Sequence, residues 1–269
     1  MFKTALLPVS FREPEWLIHS LGQYLRNFGT QRIVLVHVVA SGLQNERRSR
    51  ERLEKTSRAL SAESYEISCL VRTGSPALEI CTVARQEAVN FICIPWKRKD
   101  FLQRTLLGST TEDLVRLANL PVFVYKFRAE SGSPNELDDI LYATSFDPSH
   151  ERIIEYLRSD KLKAGTLHVL HAGSRAPDPD AERKRLDDVV NEFTDFKKQC
   201  ERCFDDIELI TAVGNPKREI LRAARQVDAE LIVLGKHGEA KALDKLLGST
   251  AETVTHKSRC SVLIVPAAE

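Results

Sequence analysis

Residues 231–250 read LIVLGKHGEAKALDKLLGST, and the fold of the chain is legible from this stretch outward. Leu231 to Leu234 form an unbroken, partly β-branched apolar run that stops at a glycine, which is how a strand buried on both faces of a parallel sheet is written. Gly235, Gly238 and Gly248 follow in the spacing G-x2-G-x9-G, and Ser249 and Thr250 come directly after the last glycine. Glycines so placed let backbone N–H groups approach an anion with no Cβ in the way. A helix opening at Ser249 would aim its unpaired N–H groups and positive dipole end at the same point. The arrangement is that of a phosphate cradle. Ser249-Thr250-Ala251-Glu252 also spells the capping box S-x-x-E, which by itself would only satisfy the first helical turn.

Strand, Gly-x-x-Gly, fixed spacer and Gly-Ser-Thr together resemble the nucleotide-binding signature of the universal stress protein family. The flanks, GNPKREILRAARQVDAELIVLG upstream and GSTAETVTHKSRCSVLIVP downstream, are similar to that family as well. The resemblance extends to the first half of the chain. Gly74-Ser75-Pro76, the run Phe91 to Ile94, Gly108-Ser109-Thr110 and the closing strand Val122 to Tyr125 form a second copy. Gly214 follows Gly74, and Gly248 follows Gly108, by the same 140 residues. A repeat of domain length identifies two tandem copies of one domain.

The 269 residues suit two domains of roughly 100–150 residues. Residues 1–127 are expected to form one and residues 137–269 the other, with the Gly-, Ser- and Pro-rich 128–136 (RAESGSPNE) as linker. Within each half, strand and helix patterns alternate, which predicts parallel βαβ units with right-handed crossovers. The fold class is therefore α/β: two Rossmann-like, flavodoxin-like domains, each a mostly parallel five-stranded sheet with helices on both faces. Ligands bind such sheets beyond the strand carboxyl ends, where the strand order reverses.

Lys plus Arg 39 against Asp plus Glu 38 leaves a net charge of +1, so the overall positive field of a nucleic-acid binder is absent. No apolar stretch has the length of a membrane span, and MFKTALLPVS lacks the apolar core and cleavage site of a signal peptide. A cytoplasmic location is expected, with no membrane and no nucleic-acid partner. Cys69, Cys81, Cys93 and Cys260 stand singly, and the pair Cys200-x-x-Cys203 lies late in a helical pattern without a second pair, so its structural reading outweighs a redox or metal one.

The two copies are unequal. Pro95 stands where the second copy has Gly235, and Arg98 where it has Gly238. Proline donates no N–H, and arginine adds bulk where the backbone must come close, so the first loop is expected to be degenerate. Its basic residues Lys97, Arg98 and Lys99 leave a different anion site open.

Universal stress proteins that bind nucleotides usually end the first strand on an aspartate. Here Ser145 occupies that place, with Asp147 two residues on, and Ser10 is the counterpart in the first copy. A hydroxyl holds a nucleoside hydroxyl less strongly than a carboxylate does. The resemblance implies nucleotide contacts at Thr144, Ser145, Ala172, Gly235, Gly238, Gly248, Ser249 and Thr250, with the backbone near Thr144 and Ala172 edging the adenine.

His237, inside the glycine loop, is better placed than His171 for chemistry, and Lys236, Lys241 and Lys245 offer positive charge to phosphates. No phosphate-loop lysine motif, nucleophile elbow or HExxH is present. These readings imply a stress-response regulatory protein that binds ATP, alone or with Mg2+, in its second domain. A nucleotide-free interaction module is the alternative, and a slow ATPase the third. An intrachain pseudo-dimer through the closing strands Val122 to Tyr125 and Ser261 to Val265, or a homodimer, and a further protein partner are also expected.

Overall fold

A computed structural model of the chain describes residues 2–39, 43–61, 64–96, 109–127, 137–146, 149–158, 162, 164–236 and 248–267. Two units divide it, Met1–Glu136 and Leu137–Glu269. The first contains strands β1 (Thr4–Pro8), β2 (Arg32–Val39), β3 (Glu66–Thr73), β4 (Phe91–Trp96) and β5 (Val122–Lys126). Between them run helices α1 (Glu15–Leu25), α2 (Leu43–Ser61), α3 (Pro76–Gln86) and α4 (Ser109–Leu117). The strands lie in the order β3-β2-β1-β4-β5, and all recorded pairs are parallel.

The second unit repeats the plan. Strands β6 (Asp139–Ala143), β7 (Thr166–Gly173), β8 (Asp206–Val213), β9 (Leu231–Gly235) and β10 (Ser261–Val265) alternate with α5 (Ser149–Leu157), α6 (Pro179–Cys200), α7 (Pro216–Gln226) and α8 (Ser249–Lys257). Their order is β8-β7-β6-β9-β10, again parallel. In both units the chain first builds to one side of its first strand and then crosses to the other. The order therefore reverses between β1 and β4, and between β6 and β9, the position where open α/β sheets hold ligands. The registers are equivalent too: Pro95 of β4 lies opposite Tyr125, as Gly235 of β9 lies opposite Val265.

The apolar runs become the sheet cores. Leu231, Ile232, Val233 and Leu234 are at most 3 % exposed, and Tyr142 beside them is fully buried. On α6, Val189, Phe196 and Cys200 are buried, at the helical spacing expected of one face. The neighbouring Val190 stands 48 % exposed, because it is turned about 100° from Val189 around the axis. Trp16 likewise lies off the Leu17, Leu21, Leu25 stripe; it is 49 % exposed and meets the Phe127 ring edge-on at 4.9 Å.

Local signals account for the helix starts. Asn215 caps α7, its side chain accepting the Lys217 N–H at 3.0 Å, and Pro216 supplies the preset first-turn φ. Ser75 takes the same position before Pro76 but makes no side-chain cap bond. Gly74 and Gly214 precede these caps at φ 143° and 148°, and a Cβ on either would lie 3.1–3.2 Å from a carboxylate oxygen of Glu79 or Glu219. Strand β4 runs two residues beyond the expected Ile94, through Pro95. Its ladder with β1 ends at Ile92, so the missing proline N–H breaks no bond on that flank.

Candidate functional site

Three adjacent strands of the second unit bring Thr144, Ser145, Ala172 and Gly235 to one carboxyl edge. Strand β6 pairs with β9 on one flank and β7 on the other, placing Ala143 opposite both Leu234 and Leu170. Thr144, one residue further, therefore has Gly235 on one side and His171 on the other, at strand spacings of about 4.8 Å. The Thr144 N–H continues the ladder to the Leu170 carbonyl at 2.9 Å, and its Oγ1 accepts the Phe146 N–H at 2.8 Å. Thr144, Ser145 and Phe146 are all half-buried. Ala172 follows His171 in β7 and pairs with Ala212.

The glycine loop leaves and re-enters this edge through a narrow neck. The Lys236 N–H donates to the Val265 carbonyl at 2.8 Å, and the Lys236 carbonyl accepts the Gly248 N–H at 2.9 Å. Position 236, just past β9, is thus tied to the residue that opens α8. Lys236 is only 4 % exposed, so of the three lysines expected to meet phosphates it is built into the neck instead of extending into solvent. Gly238, His237, Lys241 and Lys245 lie outside the described residues.

Gly248, not Ser249, is the N-cap of α8, at φ −60° and ψ 137°, and as glycine it supplies no side-chain cap. The capping box therefore does not form. Ser249 is the first helical residue and is exposed, while the Glu252 N–H reaches the Gly248 carbonyl at 3.0 Å. In a nine-residue helix opened by glycine, the first-turn N–H groups and the positive dipole end have no Cβ beside them at the cap position. Since φ −60° suits any residue, glycine here provides room and is not required by backbone conformation.

Aromatic rings floor the site. Phe146 lies along His171, ring centroids 6.0 Å apart and planes 18° from parallel, and His150 meets it near edge-on at 5.1 Å. Tyr142 hydroxyl and His150 Nδ1 are 2.7 Å apart, and both rings contact Phe196. His171 is half-buried at this edge. Phe146 and His150 were missed; an Ser-Phe pair after the first strand in both halves was the available signal.

Two other side-chain clusters belong to the fold. His168, 7 % exposed, faces Asp139 at 2.8 Å and Glu208 at 3.2 Å near the amino ends of β6–β8, away from the glycine neck. Glu182 accepts the Ala176 N–H and two bonds from Arg185, which hold its carboxyl at about 2 and tie the β7–α6 connection to the helix. Burial, then the neighbouring Cys203, pushes the Cys200 thiol up to about 12, so it is no nucleophile near neutral pH.

In the first unit, Pro95 takes the Gly235 position, Ser109 opens α4, and Ser10 is bonded to Glu13 through both its N–H and its hydroxyl. Residues 97–108, with the basic loop and Gly108, lie outside the described residues.

No helix among the described residues is long and apolar enough to cross a membrane. Two relatives each match about half of this chain over nearly their own full length. A universal stress protein of Methanocaldococcus jannaschii is 27 % identical over 150 residues, covering 47 % of this chain and 93 % of the relative. Universal stress protein A homolog 2 of Coxiella burnetii is 29 % identical over 140 residues, covering 47 % and 92 %. Among solved structures, a universal stress protein from Archaeoglobus fulgidus shares the fold across the full length of both chains, with a TM-score of 0.77 at 20 % identity. The sequence profile of the Universal stress protein family matches twice, over residues 26–126 and 136–266, and the chain belongs to that family.

Proposed function

We propose that the second unit binds an adenine nucleotide, ATP or Mg2+–ATP, at the carboxyl edge of β6, β7 and β9, and that occupancy regulates a stress response. The observation that carries this reading is helix α8, opened by Gly248 and tied to the end of β9 through Lys236. Phosphates there would meet helix N–H groups at a positive dipole end, with Gly235 and Gly238 leaving the approach clear. Thr144, Ser145 and Ala172 would line the nucleoside end, and Ser249 and Thr250 the phosphate end. The role proposed is occupancy rather than turnover, with slow hydrolysis as the third reading. The first unit, with Pro95 in place of Gly235, serves as the surface that responds to a partner.

Ser145 in place of a carboxylate favours the second reading, a nucleotide-free interaction module. Calorimetric and thermal-shift titration of the full chain with ATP, ADP and AMP separates the two. Ligand at a hundredfold its Kd adds about 2.7 kcal/mol of stability, or a rise of roughly 5–10 °C in Tm for a unit of this size. No heat and no shift at millimolar nucleotide would put the interaction module first. We further propose that the closing strands β5 and β10 pair within one polypeptide. Crosslinks that join these strands only between chains would refute that pairing and leave the homodimer.

A further inference from the structure

Both units carry a strained aromatic residue that neither the glycine loop nor its cap explains. Past the first strand the chain reads Val9-Ser10-Phe11 in one unit and Thr144-Ser145-Phe146 in the other. In each, the ladder extends one residue: Val9 N–H donates to the Val36 carbonyl, and Thr144 N–H to the Leu170 carbonyl, both at 2.9 Å. Phe11 and Phe146 then adopt φ 62° and 56°. A bulky L residue takes that left-handed conformation only where its surroundings enforce it, and such strain clusters at ligand sites.

The turn sets each ring against a histidine of the adjoining strand. Phe11 and His37 centroids are 4.2 Å apart, Phe146 and His171 centroids 6.0 Å. The two histidines are equivalent, each one residue beyond the partner of the first strand's last residue. Both stacks lie at the carboxyl edge beside the reversal of strand order.

The copies differ in what else meets the ring. The Arg52 guanidinium carbon sits 4.2 Å over the Phe11 centroid, and its Nη2 donates to the Phe11 carbonyl at 3.3 Å. Phe146 is half-buried; His150 meets it near edge-on at 5.1 Å, and among the described residues no lysine or arginine stacks on it. Ser145 precedes it, and Ala172 follows its partner His171, both in the proposed nucleoside end.

We infer that Phe146, backed by His171, is the stacking platform for the planar base of the nucleotide bound by the second unit. In the first unit Arg52 holds the equivalent ring, so that platform is closed by the protein itself. The inference rests on the nucleotide reading and adds to it: the ligand is a nucleoside phosphate and not a phosphate alone. A π face accepts any heteroaromatic base, so discrimination among bases is weak while discrimination against base-free phosphate is strong.

The test is calorimetry of the full chain with ATP and with inorganic tripolyphosphate, for the unchanged protein, Phe146→Leu and Phe146→Trp, with circular dichroism confirming folding. Phe146→Leu is expected to weaken ATP roughly ten- to a hundredfold while tripolyphosphate changes by less than about twofold, and Phe146→Trp is expected to retain ATP. Unchanged ATP affinity in Phe146→Leu, or equal loss in the leucine and tryptophan variants, overturns the platform and leaves the glycine cradle standing. An unchanged protein that binds ATP and tripolyphosphate equally has the same meaning. Binding of neither ligand removes the cradle and the platform together.

Discussion

Gly248→Val separates what the cap glycine does for the fold from what it does for a ligand. At φ −60° and ψ 137° the backbone is open to a β-branched residue. Losing glycine at an N-cap costs about 0.5–1 kcal/mol, and the stiffer unfolded chain returns about 0.4–1 kcal/mol. The net change is therefore below about 1 kcal/mol, and Tm should move by less than roughly 4 °C. Binding should respond differently. The valine methyls would stand over the first-turn N–H groups of α8, where Gly248 places no side chain. Excluding one charged phosphate–amide hydrogen bond costs about 1.5–3 kcal/mol, a factor of roughly ten to a hundred and fifty in Kd. Denaturant melts and ATP titration of the same preparation give both numbers. A variant that melts normally and binds ATP as the unchanged protein does would refute the cradle; a variant that fails to fold would refute the claim that glycine supplies only room.

Gly74→Ala and Gly214→Ala put a side chain at φ 143° and 148° against Glu79 and Glu219, so each should destabilise its own unit by about 1–3 kcal/mol in urea melts; loss below about 0.3 kcal/mol would contradict the strain reading. Glu182 titrates at about 2 in the folded chain against 4.5 ordinarily, so its stabilisation is full above pH 4.5 and is lost as pH falls towards 2; Glu182→Gln should flatten that limb of a stability–pH profile, and an unchanged limb would count against the contact. The Cys200 thiol, pushed up to about 12, should resist iodoacetamide at pH 8 in the native state and react after unfolding; rapid native alkylation would show that the helix end opens.

Patterns that depend on neighbouring residues were readable in advance. The run Leu231 to Leu234 became a buried central strand, and Asn215-Pro216 became a capped helix start, because burial and capping act over a few residues. The letters S-x-x-E at Ser249 left capping and cradle open in the sequence, since they look the same whether serine or the preceding glycine takes the N-cap; the structure gives that place to Gly248. Trp16 and Val190 show a similar ambiguity: an apolar residue beside a helical stripe can be buried or exposed according to which face the sheet takes. The Phe146–His171 stack joins residues on different strands, and nothing in a phenylalanine announces a positive φ. It becomes visible only when the registers of both units are laid together.

The central claim is that one nucleotide binds per chain, in the second unit. Native mass spectrometry of the full chain with ATP, repeated on Gly248→Val, measures this directly. The account predicts a single adduct that saturates at one ATP per chain and disappears in the variant. Two adducts per chain, or one that survives Gly248→Val unchanged, would contradict it.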